Sequence, residues 1–283
     1  MGTSIRVLTD DAADERAISS AATAIRGTFE HEERRFSRFR PESELSRVNA
    51  ASGRSIALSP SLGAVMRLAL EAARSTEGVF DPTVLGAMGA IGYDRDFDEV
   101  LARARGMLHP TSPCGRWRDV TLEGDVLRVP AGVGIDLGGI AKGWTADLAA
   151  TRALEAGLPW ALVNAGGDLR IVGDAPAIDV AVEDPYDRGA ELGRLSIREG
   201  GLATSSIRSR SWGPGLHHVI DPRTGAPAET DVLQVTVTAP TCAEAEIRAT
   251  AALLGGSATA ERAAVAVTAD GRVLVGVSIA EAA

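Results

Sequence analysis

The spacing of apolar residues predicts that the first part of the chain is helical. A strand is predicted at residues 4–7, and apolar side chains then recur at helical spacing between residues 11 and 35. These side chains are Ile18, Ala21, Ala22, Ile25 and Phe29. A second helix is predicted over residues 60–75, with Ser59 or Ser61 as its N-terminal cap. Residues 78–92 are rich in glycine, and their irregular pattern predicts no helix or strand.

From residue 119 onward, short apolar runs predict β-strands. The predicted strands are residues 125–129, 160–164, 168–173, 178–182, 193–198, 217–220, 232–238, 263–268 and 272–278. Gly166 and Gly167 separate two of these strands and predict a hairpin, and one more helix is predicted over residues 242–255. This order favours an α+β fold, with antiparallel sheets covered by helices, over a doubly wound parallel sheet.

The first candidate for chemistry is the segment DLGGIAKG, residues 136–143. It follows an apolar run that predicts a strand and precedes a helical pattern, so two glycines should lead into a helix with Lys142 in its first turn. Such a helix start presents backbone N–H groups and a positive dipole end to a phosphate. The glycine spacing matches neither the dinucleotide fingerprint nor the Walker A motif. Taken alone, the segment is explained equally well as a tight strand-to-helix connection.

Three further segments place polar side chains where a site could form. They are residues 164–168 between two strands, residues 218–225 at a strand end, and the pair Glu246 and Thr250. Because Glu246 and Thr250 are four residues apart, they lie on one helix face. A carboxylate and a hydroxyl so placed can hold a hard cation such as Mg²⁺. A glycine hairpin, a proline turn and a solvated helix face are the structural alternatives.

Composition and charge argue against several classes of function and site. The 283-residue chain has a net charge of −9 and no block of five Lys or Arg residues, so we expect no nucleic-acid surface. No segment approaches the roughly 18 consecutive apolar residues that a membrane span needs. The N-terminus lacks a basic region followed by an apolar one, so we expect a cytoplasmic protein. Cys114 and Cys242 are far apart, which argues against a disulfide framework and a structural zinc site.

These segments occur together in a familiar order, and the chain resembles the ApbE family of FAD:protein FMN transferases almost from end to end. The matching motifs are MGT at residues 1–3, FSRFRPESELSRVN at 36–49, GVFDPT at 78–83, DLGGIAKG at 136–143, VNAGGD at 163–168, ATS at 203–205, HVIDPRTG at 218–225 and APTCAEAE at 239–246. One such motif means little, whereas the whole series in this order is specific.

The resemblance implies a T-fold-like α+β architecture in which FAD binds in a cleft between two halves. It also implies that residues 1–283 form a single flavin transferase domain, or two fused α+β halves. Family members use Mg²⁺ to cleave the FAD diphosphate and attach FMN by a phosphoester to a Thr or Ser of an acceptor protein. This is a phosphoryl-type transfer, governed by positioning and charge neutralisation. Mg²⁺-dependent hydrolysis of FAD to FMN and AMP, or flavin binding without turnover, are the alternatives.

The resemblance also implies a metal site at Ala141, Glu246 and Thr250. The ligands would be the backbone carbonyl oxygen of Ala141 and the two side chains on the predicted helix. Family members carry Asp at the position of Glu246, and the longer side chain here would alter the geometry that octahedral Mg²⁺ requires. A second departure is the pair Ser205 and Ser206, where the family has Ser followed by Gly.

Contacts with FAD are implied at eight positions. They are Met1, Phe39, Val79, Phe80, Asp81, Gly139, Lys142 and His218. Gly139 and Lys142 would lie near the diphosphate, and Phe39 would pack on a ring system unless it is a core residue beside Phe36. Lys142 and His218 are the expected catalytic residues. His218 would remove the proton of the acceptor hydroxyl, the alternative being a histidine that only contacts FAD.

The acceptor is expected to be a different protein. Residues 255–260, GGSATA, loosely resemble the family's flavinylation motif but lack its leading Asp. A helix that ends at glycine and is followed by a loop explains them well. We therefore expect transfer to a Thr or Ser motif in trans rather than to Thr259.

Overall fold

A computed structural model describes residues 3–51, 53–102, 114–187 and 189–276 of the chain. Its helices are α1 (Glu15–Phe36), α2 (Glu44–Ala50), α3 (Pro60–Ser75), α4 (Leu85–Ala90), α5 (Phe97–Ala102), α6 (Ala141–Glu155), α7 (Cys242–Gly255) and α8 (Ser257–Ala260). Its strands are β1 (Ile5–Leu8), β2 (Ser55–Ala57), β3 (Thr121–Glu123), β4 (Val126–Arg128), β5 (Trp160–Ala165), β6 (Asp168–Gly173), β7 (Ile178–Glu183), β8 (Glu191–Ile197), β9 (Gly200–Ser206), β10 (Ser211–Gly213), β11 (Leu216–His217), β12 (Ile220–Asp221), β13 (Ala226–Pro227), β14 (Val232–Ala239), β15 (Val265–Thr268) and β16 (Val273–Leu274).

The main sheet is antiparallel throughout its described strands, which confirms the expected α+β class. Its strand order is β1-β5-β6-β9-β14-β15-β16. β5 and β6 form the predicted hairpin, in which Ala165 pairs with Asp168. Gly166 and Gly167 occupy its turn with φ angles of 70° and 105°. Glycine adopts these angles readily, and the tight turn places Asp168 at the first position of β6.

Helices cover one face of the main sheet, and the β7–β8 hairpin covers the other. On the helical face, Ala21 and Ile25 of α1 pack with Ala149 of α6 and Val163 of β5. On the opposite face, apolar side chains of β7 and β8 pack over Trp160, Leu162, Leu169, Ile171 and Leu202. The small side chains of α6 let it pack closely between α1 and the sheet, which fixes the helix that carries Lys142.

The helices predicted in the first part of the chain form, and their caps explain where they begin. α1 begins at Glu15 rather than at residue 11 because the Asp14 carboxylate accepts hydrogen bonds from two backbone N–H groups of the first turn. α3 begins at Pro60, and Ser59 caps it as predicted. Among the helices described, none is long and apolar enough to cross a membrane.

The structure adds a strand that the sequence pattern does not predict. β9 lies between β6 and β14, near the centre of the main sheet. Its residues, GGLATSS, are mostly small, so the run lacks the branched and aromatic side chains that indicate a strand. Small residues are needed here because a Cβ atom at Gly201 would collide with the backbone of Thr241 and Cys242. The absence of a side chain at Gly201 therefore lets the N-terminal end of α7 pack directly against β9.

Four local predictions differ from the structure. The expected strand at residues 217–220 is divided, because β11 and β12 belong to different two-stranded sheets. Residues 78–92, expected to be irregular, contain α4. Irregular backbone rather than a strand leads into the Gly138–Gly139 turn, because β4 ends at Arg128. The strand expected at 272–278 is reduced to β16, and residues 277–278 lie outside the described ranges.

Candidate active site

Three charged side chains from distant parts of the chain meet at the first turn of α6. Lys142 Nζ lies 2.9 Å from Asp168 Oδ2 and also donates a hydrogen bond to Glu246 Oε1. Gly143 N donates to Glu246 Oε2 at 2.9 Å. The α6 helix start, the β5–β6 turn and α7 therefore converge on one point, and each supplies one charge.

This cluster is buried and has one more acidic group than basic groups. Glu246 and Asp168 are 3% and 4% exposed. Burial raises the pKa of Glu246 to about 7, although the charge of Lys142 acts in the opposite direction. Burial alone would lower the pKa of Lys142, but the charges of Asp168 and Glu246 outweigh it and raise that pKa. The single ammonium group balances only one of the two carboxyl groups, so the ionised form of Glu246 favours a further cation.

The expected metal ligands Ala141, Glu246 and Thr250 supply only oxygen donors, the kind that Mg²⁺ prefers. Ala141 O accepts a hydrogen bond from Thr145 Oγ1 at 2.7 Å. Thr250 Oγ1 lies 3.0 Å from Ser205 Oγ. Within the described ranges, no group of three or more His, Cys, Asp and Glu side chains is arranged to hold a metal. The donor set and the excess acidic charge fit a hard cation.

The Gly138–Gly139 turn lies against two of the expected site residues. A Cβ atom at Gly139 would lie 3.3 Å from Phe80 Cε2 and 3.9 Å from Thr250 Oγ1. Gly138 N donates to Asp136 Oδ1 at 2.8 Å, which fixes the turn. The structure thus brings Gly139, Phe80 and Thr250 together and leaves room there only for a small residue.

His218 lies between β11 and β12 and faces two cations. Its backbone N donates to Arg210 O at 3.2 Å, and its Nδ1 atom is buried without a hydrogen-bond partner in the described residues. Burial, together with the charges of Arg210 and Lys142, lowers the pKa of His218 to about 3. The imidazole is therefore neutral at neutral pH and able to accept a proton. His217 differs, because its Nε2 atom lies 3.2 Å from Ala228 O.

Phe39 belongs to an aromatic cluster that the sequence does not reveal. Its ring centroid lies 6.0 Å from that of Tyr93, and Tyr93 also packs against Phe97 and Trp212. The guanidinium of Arg38 lies 4.2 Å and 4.5 Å from the centroids of Phe39 and Tyr93. The same Arg38 forms a buried 2.8 Å ion pair with Asp136. This pair links the aromatic cluster to the glycine turn.

The segment Val79-Phe80-Asp81 is less open than a ligand-binding run would be. Val79 packs against the core cluster around α7 and β14, and Phe80 is 5% exposed. Asp81 Oδ1 accepts hydrogen bonds from Thr83 N at 2.7 Å and from its Oγ1 at 2.6 Å. Asp81 Oδ2 is buried and has no hydrogen-bond partner in the described residues. Burial raises the pKa of Asp81. Met1, the remaining expected contact, lies outside the described residues.

Comparison with known proteins identifies the family of this chain. A family model described as the ApbE family matches residues 1–271. The chain belongs to the ApbE family. This membership confirms the family expected from the sequence motifs.

Individual ApbE relatives cover different shares of the chain. The FAD:protein FMN transferase of Treponema pallidum (strain Nichols) is 30% identical over an alignment that covers 90% of this chain and 77% of that protein. The FAD:protein FMN transferase of Rhodobacter capsulatus is 34% identical over 75% of this chain, but the match spans only 42% of that protein. The crystal structure of the ApbE protein from Thermotoga maritima has a TM-score of 0.83 and 25% identity, covering 97% of this chain and 94% of that one.

The sequence did not reveal several contacts in and around this ApbE site. Asp168 was recognised only as part of a glycine hairpin motif, although its position after two glycines placed it at the turn. Arg38 and Asp136 lie within matched motifs, but nothing in the sequence pairs them across 98 positions. Tyr93 and Trp212 lie outside the motifs, so only the fold brings them to Phe39.

Proposed function

We propose that this ApbE-family protein transfers FMN from FAD to a Thr or Ser hydroxyl of an acceptor protein. The observation that carries the proposal is the convergence of Lys142, Asp168 and Glu246 beside the Gly138–Gly139 turn and His218. The expected enzyme class, a transferase, agrees with the names of the Treponema and Rhodobacter relatives. Residues between Phe39 and Thr250 contribute, so we take the chain to act as one catalytic unit.

In this proposal, Ala141 O, Glu246 and Thr250 hold a Mg²⁺ ion. When bound, the ion would neutralise charge on the diphosphate oxygens. The carboxylate charge that Lys142 leaves uncompensated supports this assignment. The pairing with Lys142 keeps the Glu246 carboxylate in position, although it is longer than the family's Asp.

The remaining groups bind and orient FAD in the same proposal. The Lys142 ammonium, in the first turn of α6 after the Gly138–Gly139 turn, is the proposed contact with the diphosphate. Phe39 and the residues Val79, Phe80 and Asp81 are the proposed flavin contacts. The unpartnered Asp81 Oδ2 atom supports this because a buried oxygen without a hydrogen-bond donor favours one supplied by a ligand.

The transfer step needs a base, which we assign to His218. The acceptor hydroxyl oxygen bonds to the phosphorus atom of the FMN part, the diphosphate bond to AMP breaks, and the hydroxyl proton passes to the imidazole. His218 is neutral before the step. The negative diphosphate would offset the nearby cations and raise the pKa of His218, which strengthens the base when substrate is present.

Product analysis tests this function. The protein is incubated with FAD, Mg²⁺ and an acceptor domain that bears a Thr or Ser flavinylation motif, and the intact mass of the acceptor is measured together with free nucleotides. A mass gain of one FMN phosphoester with release of AMP supports the transferase. Release of both FMN and AMP with an unmodified acceptor would identify a hydrolase, and unchanged bound FAD would identify a carrier.

A further inference from the structure

Arg210 is a second cation at the site, and it differs from Lys142 in having no acidic partner. Lys142 contacts both Asp168 and Glu246. Among the described residues, Arg210 forms no ion pair with a carboxylate, and its one side-chain hydrogen bond goes from Nη1 to Tyr93 Oη at 3.3 Å. A half-buried guanidinium with a single neutral acceptor keeps most of its donors available.

The β10–β11 hairpin fixes Arg210 directly opposite His218. Ser211 pairs with His217 in this antiparallel hairpin, and the next position outward pairs Arg210 with His218, whose N donates to Arg210 O at 3.2 Å. This hydrogen bond holds the backbones of Arg210 and His218 side by side just beyond the hairpin strands. The positive charge of Arg210 lowers the pKa of the His218 imidazole, and so does that of Lys142.

We propose that Arg210 donates hydrogen bonds to a phosphate of the nucleotide substrate and is a further substrate-binding residue of this site. The inference rests on the proposed function, since FAD is the nucleotide. A planar guanidinium matches two phosphate oxygens at once. In a chain with a net charge of −9, an anionic ligand needs local cations, and Lys142 is already neutralised by two carboxylates.

The competing interpretation is structural, with Arg210 only holding Tyr93 within the aromatic cluster. Two variants separate these roles. Arg210→Met removes the guanidinium, whereas Tyr93→Phe removes only the hydroxyl that Arg210 contacts. Arg208→Met is the matched control, because Arg208 is an exposed arginine two residues away on the same segment.

Binding of FAD and of riboflavin, which has no phosphate, is measured for each variant by titration of the flavin fluorescence. Arg210→Met should weaken FAD about tenfold or more, since hydrogen bonds to charged groups are the stronger ones, and should leave riboflavin affinity unchanged. Arg210→Lys should retain part of the FAD affinity, because it keeps the charge without the planar fork. Tyr93→Phe and Arg208→Met should retain FAD affinity.

Unchanged FAD affinity in Arg210→Met would overturn the proposal. Equal weakening of FAD and riboflavin, or the same loss in Tyr93→Phe, would also overturn it by assigning Arg210 a structural role. Wild-type protein that binds FAD but transfers nothing would refute the proposed function alone, because the binding comparison needs no turnover. Wild-type protein that binds no FAD would refute both.

Discussion

At the scale of single residues, the surroundings of His218 determine what it can do. Burial and the cations Arg210 and Lys142 lower its pKa to about 3, and no described group accepts a hydrogen bond from its Nδ1 atom. A neutral imidazole can accept a proton but cannot donate one until it has done so. The site therefore suits the removal of a hydroxyl proton and not the initial protonation of a leaving group.

Replacing His218 with Asn should lower turnover and leave FAD affinity nearly unchanged. A positioned general base typically contributes about 10²–10⁴-fold to a rate, so we expect a loss in that range. Steady-state kinetics at saturating FAD, combined with FAD titration, separate the two quantities. Weaker FAD binding with normal turnover at saturation would show instead that His218 is a binding residue.

The same histidine should make the stability of the protein depend on pH. Its pKa lies below the ordinary value of 6.5 in the folded state, so the unfolded state binds more protons between about pH 6.5 and about pH 3. Above about pH 6.5, His218 makes its full contribution to the free energy of unfolding. That contribution decreases as the pH falls from about 6.5 to about 3. Urea unfolding at a series of pH values should show a shallower acid loss for His218→Asn than for wild type. Exposed His31→Asn is the control, and identical slopes for all three proteins would contradict the assignment.

At the scale of elements, the site depends on how closely α6 meets the first turn of α7. The Asp147 carboxylate of α6 accepts hydrogen bonds from Cys242 N at 2.8 Å and Ala243 N at 3.0 Å. One turn earlier, Gly143 leaves no room for a side chain, because its Cβ atom would lie 2.7 Å from Ala243 N. This contact sets the position of Glu246 relative to Lys142.

Gly143→Ala should therefore destabilise the protein and reduce transfer. Overpacking of a closely packed contact typically costs about 1–3 kcal/mol, which a lower Tm in thermal unfolding would report. Gly27→Ala in α1 is the matched control, because nothing lies within 4 Å of its Cβ position. Alanine favours a helix over glycine by about 0.5–1 kcal/mol, so this control should gain stability. A Gly143→Ala protein as stable and active as wild type would show that the close approach is not needed.

Local sequence signals predicted the helices and strands whose residues show a hydrophobic periodicity, a helix N-cap or a turn motif. The amphipathic pattern predicted α1 and α3, and the Gly166–Gly167 pair predicted the β5–β6 hairpin. β9 was missed because its residues are small to admit α7, a requirement that arises only in the folded chain. Motif resemblance singled out Lys142, Glu246 and Thr250 as expected site residues, but the Arg38–Asp136 pair and the Tyr93 cluster depend on contacts between distant segments.

At the scale of the whole molecule, an acidic chain places two cations at the candidate site. The net charge is −9, yet Lys142 and Arg210 both act on His218. This arrangement provides favourable charge for an anionic nucleotide beside His218, although the chain as a whole is acidic.

The exposed Thr259 gives a test of transfer in trans. It lies on α8, where its hydroxyl donates to Gly255 O at 3.4 Å within the helical segment. We expect the intact mass of the enzyme to stay unchanged after incubation with FAD and Mg²⁺ alone. A gain of one FMN that maps to Thr259 by peptide mass analysis would show self-flavinylation instead.

The central claim is transfer that depends on the buried carboxylate of Glu246, and the intact mass of an acceptor domain tests it most directly. With FAD and Mg²⁺, wild-type enzyme and Glu244→Gln, a more exposed carboxylate on the same helix, should each add one FMN to the acceptor. Glu246→Gln should still bind FAD but leave the acceptor mass unchanged. An acceptor that gains no FMN from wild type, or gains it equally from Glu246→Gln, would contradict the account.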